Sequence, residues 1–286
     1  MVLLEFKRSF FSKSTIVFLM VIIAISAISW GASLYEQGWI LEQNYRFSAY
    51  PASYGYHIDY DGWTFLYNLW FNSVSTDLKN FFFYAWIGVA LTSRLYTEKS
   101  NRFGNLVVTR QSYKQRFYHL LLAQSLYIIT LIGIYVLISF TVSIFLGGIP
   151  ASASTVATAT YGWAEWLGIA LLQFLWISFA YSVINAFCLL LNMWIKQKYI
   201  LQLFPFILFV IVPAILWPVS LTLSPAFHRL ISGFLLIDGP LGAFGFLFQD
   251  WGFGHFLRSA QTAIAVTVLI AILHPFHIRK GEKDYL

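Results

Sequence analysis

Charged residues and cysteine are both scarce in this chain of 286 residues. Asp, Glu, Lys and Arg make up 10% of it, whereas a soluble domain carries about 25%. Hydrophobic residues make up 59%, and the mean hydropathy is +0.69. A soluble globule could not bury so much apolar surface, because more than half of its exposed area is already apolar. The composition excludes a soluble enzyme, a nucleic-acid binder or a disordered scaffold as a description of the whole chain, and it predicts an integral membrane protein.

Residues with catalytic or metal-binding chemistry are equally sparse. The single cysteine, Cys188, excludes an internal disulfide and a cysteine-based metal cluster. The sequence has no H-E-x-x-H motif, no Gly-rich phosphate loop and no nucleophile elbow. His274 and His277 are three residues apart and could share a helix face, but no third ligand stands near them, so interfacial histidines are the better interpretation. We therefore expect a chain without catalytic residues, metal ligands or a cofactor of its own.

Apolar segments long enough to span a membrane occur six times. A spanning helix needs about 20 mostly apolar residues, although the second segment is shorter and could begin near residue 73. A further apolar stretch, 230–248, is interrupted by glycines, Pro240 and Asp238, so we expect re-entrant outer helices over 224–258 and not a seventh span. The prediction is an all-α protein with a single transmembrane domain over 1–286. Its six spans are 14–33, 80–95, 117–147, 162–194, 199–223 and 259–275.

The few charges are distributed unevenly between the two sides of these spans. With the N-terminus inside, fourteen of the 18 basic residues are cytoplasmic and eight of the 12 acidic residues are external. This asymmetry predicts cytoplasmic termini, with a tail at 277–286. No charged residue falls in the middle of a predicted span, which argues against a carrier coupled to protons or sodium. The four external basic residues are Arg46, Lys79, Arg229 and Arg258.

Two flanking segments have unusual compositions. Residues 1–13 form a short amphipathic pattern, which predicts a helix along the inner membrane surface or an ordinary basic anchor. The outer loop predicted at 34–79 contains thirteen aromatic residues between positions 35 and 71. These aromatics belong either to the interfacial belt and a folded cap, or to a surface that receives an amphipathic ligand.

The cytoplasmic loop 96–116 carries six basic residues and one acidic residue around a short apolar patch at 106–108. Gly104 is suited to a break between two short helices. A basic loop with an apolar centre is typical of a surface that docks a soluble partner, but the same charges could simply set the topology.

The fourth and fifth spans contain residues that disturb a plain apolar helix. Five residues of the fourth span, spaced three and four apart, fall on one helix face that predicts either interhelical hydrogen bonding or a pathway wall. The fifth span contains Pro205, Pro213 and Pro218, which predict a kinked or broken helix. The polar face of the fourth span consists of Ser178, Tyr181, Asn185, Cys188 and Asn192.

This layout resembles the six-span permease subunits of bacterial ABC exporters of the type-2 class. The segment 1–13 resembles their cytoplasmic elbow helix, and 230–255 resembles their re-entrant outer helices. Their coupling loop has an acidic residue, a glycine and an arginine before a Ser/Tyr-containing helix. The matching residues here are Glu98, Gly104, Arg110, Ser112 and Tyr113. The aromatic outer loop fits the branch that exports or resists antimicrobial and other amphipathic peptides.

The resemblance implies a function as one half of a transport pathway. A separate ATPase subunit would bind ATP and Mg, and two permease subunits, identical or different, would alternate access with spans two and five lining the path. The location implied is the bacterial cytoplasmic membrane, with lipid but no nucleic acid as a further partner. The alternative is a membrane-bound peptide-binding or immunity protein that transports nothing. The docking residues implied are Glu98, Arg102, Phe103, Gly104, Leu106 and Arg110.

Overall fold

The fold is almost entirely helical. The computed structural model describes residues 2–46, 73–92, 96, 112–147, 153–156, 159–195, 197–222 and 252–285. Within them, four helices are long and apolar enough to cross a membrane, or five if the first two helices together form one bent span. The all-α class and the membrane-spanning character are therefore confirmed.

The chain begins with a short helix that bends sharply into a long one. Helix α1 covers Val2–Phe10 and helix α2 covers Lys13–Arg46, with an angle of 55° between α1 and the first part of α2. The carbonyl oxygen of Ser9 at the bend accepts hydrogen bonds from the hydroxyls of Ser12 and Thr15, at 2.6 and 2.9 Å. Side-chain hydroxyls thus satisfy a carbonyl at the end of α1, where helical backbone partners run out.

The next helix changes from α-helical to π-helical structure partway along. Helix α3 covers Ser73–Trp86 and continues as a π-helical segment, π1, over Ile87–Thr92. Its apolar part, Phe81–Thr92, is shorter than a full membrane span. The second predicted span, 80–95, thus coincides with a helix over its described part, 80–92.

A small hairpin separates the two longest apolar helices of the bundle. Helix α4 covers Tyr113–Gly147, and strands β1 (Ala153–Val156) and β2 (Ala159–Gly162) pair antiparallel before helix α5 at Trp163–Leu191. The first turn of α5 is closed by the Glu165 carboxylate, which accepts a hydrogen bond from the backbone N–H of Gly162 at 2.9 Å. An acidic side chain at this place also suits the positive end of the helix dipole.

The proline-rich fifth segment is continuous but not uniform. Helix α6 covers Lys198–Phe206, a second π-helical segment, π2, covers Ile207–Ile211, and helix α7 covers Val212–Thr222. The π-helical winding lies between Pro205 and Pro213, which lack the backbone N–H that an α-helical hydrogen bond needs. The sequence predicted a kinked or broken helix here; the structure has instead a continuous segment that changes to π-helical winding. The last helix, α8, covers Gly252–Tyr285.

Helix α5 shows how the sequence separates a lipid-facing side from a buried side. Leu167, Leu171, Leu175 and Phe179 follow one another at intervals of four and are all exposed on the surface of the bundle. The helix face with Tyr181 and the residues around it is buried among the other helices. A helix in lipid turns its apolar side outward and its polar side toward protein, so this division fits a membrane environment.

The interior of the bundle is rich in aromatic rings. Phe18 of α2 packs against Phe83 and Trp86 of α3, with ring centroids 5.1 and 4.5 Å apart. Trp86 in turn lies 5.3 Å from Tyr127 of α4, whose hydroxyl hydrogen-bonds that of Thr15 at the start of α2. Helices α2, α3 and α4 are thus joined by one aromatic cluster.

Several helix ends differ from the predicted boundaries. Helix α2 continues to Arg46 and α3 already begins at Ser73, so both ends of the outer loop predicted at 34–79 are helical. Helix α8 extends over both 252–258 and most of the predicted tail 277–286. The centre of the aromatic loop, 47–72, and residues 224–251 of the predicted re-entrant segment 224–258 lie outside the described residues.

Candidate functional site

The predicted docking loop, 96–116, is described only at residue 96 and at its C-terminal end, 112–116. Six residues assigned to the docking of a partner lie outside the described residues: Glu98, Arg102, Phe103, Gly104, Leu106 and Arg110. The loop predicted for 96–116 is shorter at this end, because α4 begins at Tyr113. The Ser112 hydroxyl accepts a hydrogen bond from the backbone N–H of Gln115 at 3.3 Å, as a helix N-cap does. Tyr113 and Arg116 therefore belong to the first turn of α4.

A buried ion pair joins this first turn to the N-terminal helix. The Arg116 guanidinium donates from Nη1 to Oε1 of Glu5 over 3.0 Å, and the two side chains are 6% and 7% exposed. A charge-assisted hydrogen bond of this kind is strong and has a defined geometry. At this depth, removal of either partner would leave an uncompensated buried charge, which is costly. The predicted elbow helix is thus anchored to the residues that directly follow the basic loop.

A second cluster at the same end of the bundle ties in the last helix. Nδ1 of His277 donates a hydrogen bond to the carbonyl oxygen of Leu190 at 2.8 Å. In the neutral ring Nε2 then accepts from the hydroxyl of Tyr113, which lies 2.7 Å away. Lys280 adds a cation–π contact, with Nζ 5.8 Å from the centroid of the Trp194 ring. Helices α4, α5 and α8 therefore meet around one buried imidazole.

The two histidines considered as a possible metal pair have different partners. His274 forms its hydrogen bond with the hydroxyl of Tyr118, at 2.7 Å, whereas His277 is held by Tyr113. Within the part of the chain that the structure describes, no group of three or more His, Cys, Asp or Glu residues could hold a metal ion. Each imidazole instead bonds to a tyrosine of α4.

The polar face of α5 divides into two parts. Toward its C-terminal end, Nδ2 of Asn185 donates to Oε1 of Gln124 at 3.0 Å, and Nε2 of Gln124 donates to the carbonyl oxygen of Leu91 at 3.1 Å. Nδ2 of Asn192 donates to the carbonyl oxygen of Thr92 at 2.7 Å. Side-chain amides of α4 and α5 thus bind the last two carbonyls of π1, a place where helical backbone partners become scarce.

The remaining members of this face are buried among aromatic rings and apolar side chains. The ring of Tyr181 stacks on Phe83 at 4.7 Å and meets Tyr84 edge-on at 5.8 Å. Cys188 is fully buried, and the Ser178 hydroxyl has no hydrogen-bond partner within the described residues. The structure therefore buries four of the five residues, Ser178, Tyr181, Asn185 and Cys188, on the interior side of α5, whereas Asn192 is half-buried directly after the helix.

Lys79 is the polar residue whose position differs most from the sequence prediction. It was assigned to the external loop, but it belongs to α3 and is completely buried. Its Nζ lies 5.5 Å from the centroid of the Tyr135 ring of α4. The assignment to the external loop is wrong: the helix begins at Ser73, the earlier of the two starts considered for this span, and the lysine is buried facing α4. The sequence signal for burial was the spacing of four residues between Lys79 and the apolar Phe83, which places both side chains on the same helix face.

A close backbone crossing joins the second and fifth predicted spans. A Cβ atom built on Gly88 in π1 would lie 1.8 Å from the carbonyl oxygen of Gln202 in α6. Only glycine allows the two backbones to approach in this way. The sequence offered Gly88 as one glycine among 18, so the crossing could not be identified from composition.

Together these features define an all-helical membrane protein whose described residues include four or five helices able to span the bilayer and an interior of amide, tyrosine and ion-pair contacts. No family model matches the chain, and comparisons with curated proteins and with solved structures give no match either.

Proposed function

We propose that this chain is the permease subunit of an ATP-driven exporter of the bacterial cytoplasmic membrane, and that it moves an amphipathic substrate, most simply a peptide. The observation that carries the proposal is the Glu5–Arg116 ion pair. It fastens a bent, surface-type helix to the first turn of α4, directly after the basic segment 97–111. A partner that pushes on this segment would move α4 and the N-terminal helix together.

The arrangement of helix ends supports the proposed six-span topology with cytoplasmic termini. The ion pair brings the N-terminal segment to the start of α4, and the Tyr113–His277 hydrogen bond brings the end of α8 to the same place. The hydrogen bond from Asn192 to Thr92 adds the ends of α5 and π1. All of these segments are cytoplasmic in the predicted orientation, so they should meet at one end of the bundle, as they do.

The two π-helical segments support a moving part between the second and fifth spans. π-Helical turns are uncommon and are frequent at functional sites. Segments π1 and π2 belong to the two spans that would line the path. The backbone of π1 packs so closely on that of α6 that a Cβ atom on Gly88 would overlap the Gln202 carbonyl oxygen. We propose that sliding at this crossing accompanies the change between inward-open and outward-open states.

A separate ABC ATPase subunit would supply the energy, with ATP and Mg bound there, and a second permease subunit would complete the path. Glu98, Arg102, Phe103, Gly104, Leu106 and Arg110 are the residues proposed to dock the ATPase. Docking by charged and aromatic residues around a small apolar patch is typical of protein interfaces.

The test is transport by the chain reconstituted with its ATPase in liposomes. Glu98→Gln and Arg102→Gln are expected to abolish ATP-driven peptide movement while the thermal unfolding of the permease stays unchanged. Lys283→Gln removes one positive charge, as Arg102→Gln does, at an exposed position outside the loop; it is the control for Arg102→Gln and should transport normally. Full transport by the Glu98 and Arg102 variants would contradict the docking assignment.

The second candidate function is peptide capture without transport, as in a membrane-bound immunity protein. It is favoured by the thirteen aromatic residues between positions 35 and 71, which could hold an amphipathic peptide outside the membrane. This candidate predicts peptide binding by the chain alone and no associated ATPase, so the two functions are separable by experiment.

A further inference from the structure

An open groove lies on the side of the bundle between α4, α5 and α8. Its volume is about 420 Å³, within the range of roughly 300–1,000 Å³ found for ligand sites. The walls are mainly apolar and include Phe117, Leu121, Ala186, Leu190, Ile270 and Ala271. All three helices are among those able to span a membrane, so in the proposed six-span topology the groove faces lipid.

One end of the groove is polar. Tyr118 and His274 both line it, and their hydrogen bond of 2.7 Å crosses between α4 and α8. The Tyr118 side chain is 42% exposed, so its hydroxyl is accessible from the bundle surface. A hydroxyl and an imidazole at the edge of an apolar groove provide hydrogen-bonding capacity next to a hydrophobic surface.

Lys114 lies just beyond this polar end. Lys114, Phe117, Tyr118 and Leu121 are spaced three, four and seven residues along α4, so they share one helix face with the groove. Lys114 is exposed, and helical side chains lean toward the N-terminus of their helix, which directs its ammonium group away from the apolar walls. Helix α4 therefore presents the ammonium group of Lys114 and then the Tyr118 hydroxyl, which is bonded to the His274 imidazole of α8, beside the apolar groove.

This order matches the chemistry of a phospholipid. Basic pockets between membrane helices on the cytoplasmic side bind anionic head groups, and a juxtamembrane lysine attracts them by about 1 kcal/mol, or about fivefold in affinity. We propose that the groove binds one anionic phospholipid of the inner leaflet, with an acyl chain against Phe117 and Ala271 and the phosphate at Lys114 and Tyr118. The site rests on the proposed orientation of the helices and not on the presence of an ATPase.

The experiment uses the full chain purified in detergent and native mass spectrometry. Equal amounts of phosphatidylglycerol and phosphatidylcholine with the same acyl chains are added, and the bound lipid is counted as mass increments. The proposal predicts one retained phosphatidylglycerol and weaker retention of phosphatidylcholine. Equal retention of the two lipids would overturn it. Displacement of bound phosphatidylglycerol by glycerol phosphate as effectively as by free phosphatidylglycerol would also overturn it, because glycerol phosphate has the charge but no acyl chains.

Two variants examine the two halves of the site. Lys114→Gln should weaken phosphatidylglycerol retention about fivefold and phosphatidylcholine retention less, because the choline cation already offsets the attraction between that lipid's phosphate and the lysine. Ala271→Phe should reduce retention of both lipids by filling the groove; Ala271 is exposed, so the ring does not enter the core.

The matched control is Lys198→Gln, which removes an exposed lysine at the start of α6, away from the groove. It should retain phosphatidylglycerol like the original chain. An effect of Lys198→Gln equal to that of Lys114→Gln, or full retention by Ala271→Phe, would overturn the proposal. Because no ATPase or transport enters the measurement, its outcome is independent of the proposed export function.

Discussion

The Arg116 guanidinium and the Glu5 carboxylate meet at 3.0 Å in the interior of the bundle, across 111 residues of sequence. The pair joins α1 to α4, and the serine–threonine hydrogen bonds at the bend fix how α1 leaves α2. The N-terminal helix is therefore a structural part of the bundle and not a loosely attached basic anchor. In the proposed function it moves with the docking loop.

The first prediction concerns this ion pair. Glu5→Gln should lower the free energy of unfolding by about 3 kcal/mol, because removal of one partner leaves a buried charge poorly compensated. The double variant Glu5→Gln/Arg116→Gln should be less destabilised than the sum of the single variants, by roughly 0.5–3 kcal/mol. Thermal unfolding of the chain in detergent measures both. Lys7→Gln, an exposed change on the same helix, serves as the control. If the losses of unfolding free energy in the two single variants add up to the loss in the double variant, Glu5 and Arg116 are not coupled.

The second prediction concerns the crossing of π1 and α6. Gly88→Ala should destabilise the chain by about 1–3 kcal/mol, because the added methyl group would overlap the Gln202 carbonyl oxygen and force the helices apart. Gly168→Ala is the matched control, since a Cβ there meets nothing within 4 Å. The control should be neutral or stabilising by up to about 1 kcal/mol. Equal unfolding midpoints for the two variants would show that the backbones do not touch.

The third prediction separates packing from transport on the polar face of α5. Asn185→Leu removes the hydrogen bond to Gln124 and should cost about 0.6–2 kcal/mol of unfolding free energy. Ser178→Ala should leave stability unchanged, because this hydroxyl has no hydrogen-bond partner within the described residues. A pathway role would appear as altered transport in Ser178→Ala despite unchanged thermal unfolding. Unchanged transport in Ser178→Ala would indicate that the polar face of α5 serves helix packing.

The fourth prediction tests the orientation of the helices. The only cysteine, Cys188, is buried, so single cysteines introduced elsewhere can be labelled selectively. In intact cells a membrane-impermeant maleimide should label Asp61→Cys but not Gln115→Cys or Lys283→Cys. The last two should react only after the membrane is permeabilised. Labelling of Lys283→Cys in intact cells while Gln115→Cys stays unlabelled would mean an odd number of crossings between the two positions and would overturn the six-span topology.

The positions of the helices could be predicted from the sequence because hydropathy acts locally. The face of α5 was also predictable, since spacings of three and four residues place Tyr181 and Asn185 together whatever the neighbouring helices are. The prolines at 205 and 213 likewise predicted an irregular span, which the structure shows as π2. In each case the information lies within one helix.

Contacts between helices were not predictable, because they depend on packing. Glu5 and Arg116 both appear in the sequence as ordinary interfacial charges, and only the fold brings them together. Lys79 was misplaced for a related reason: a charge beside an apolar run looks external, but α3 begins earlier and buries it against Tyr135. The hairpin β1–β2 was also missed, since its short strands follow long apolar helices and leave little pattern of their own.

The most direct test of the proposed function is a pull-down of the full chain from its native membrane, followed by mass spectrometry. We expect an ATP-binding cassette subunit to co-purify, and the paired variant Glu98→Lys/Arg102→Glu to lose it while Lys283→Gln retains it. Recovery of the chain without any nucleotide-binding subunit, or equal recovery of that subunit with the paired variant, would contradict the account.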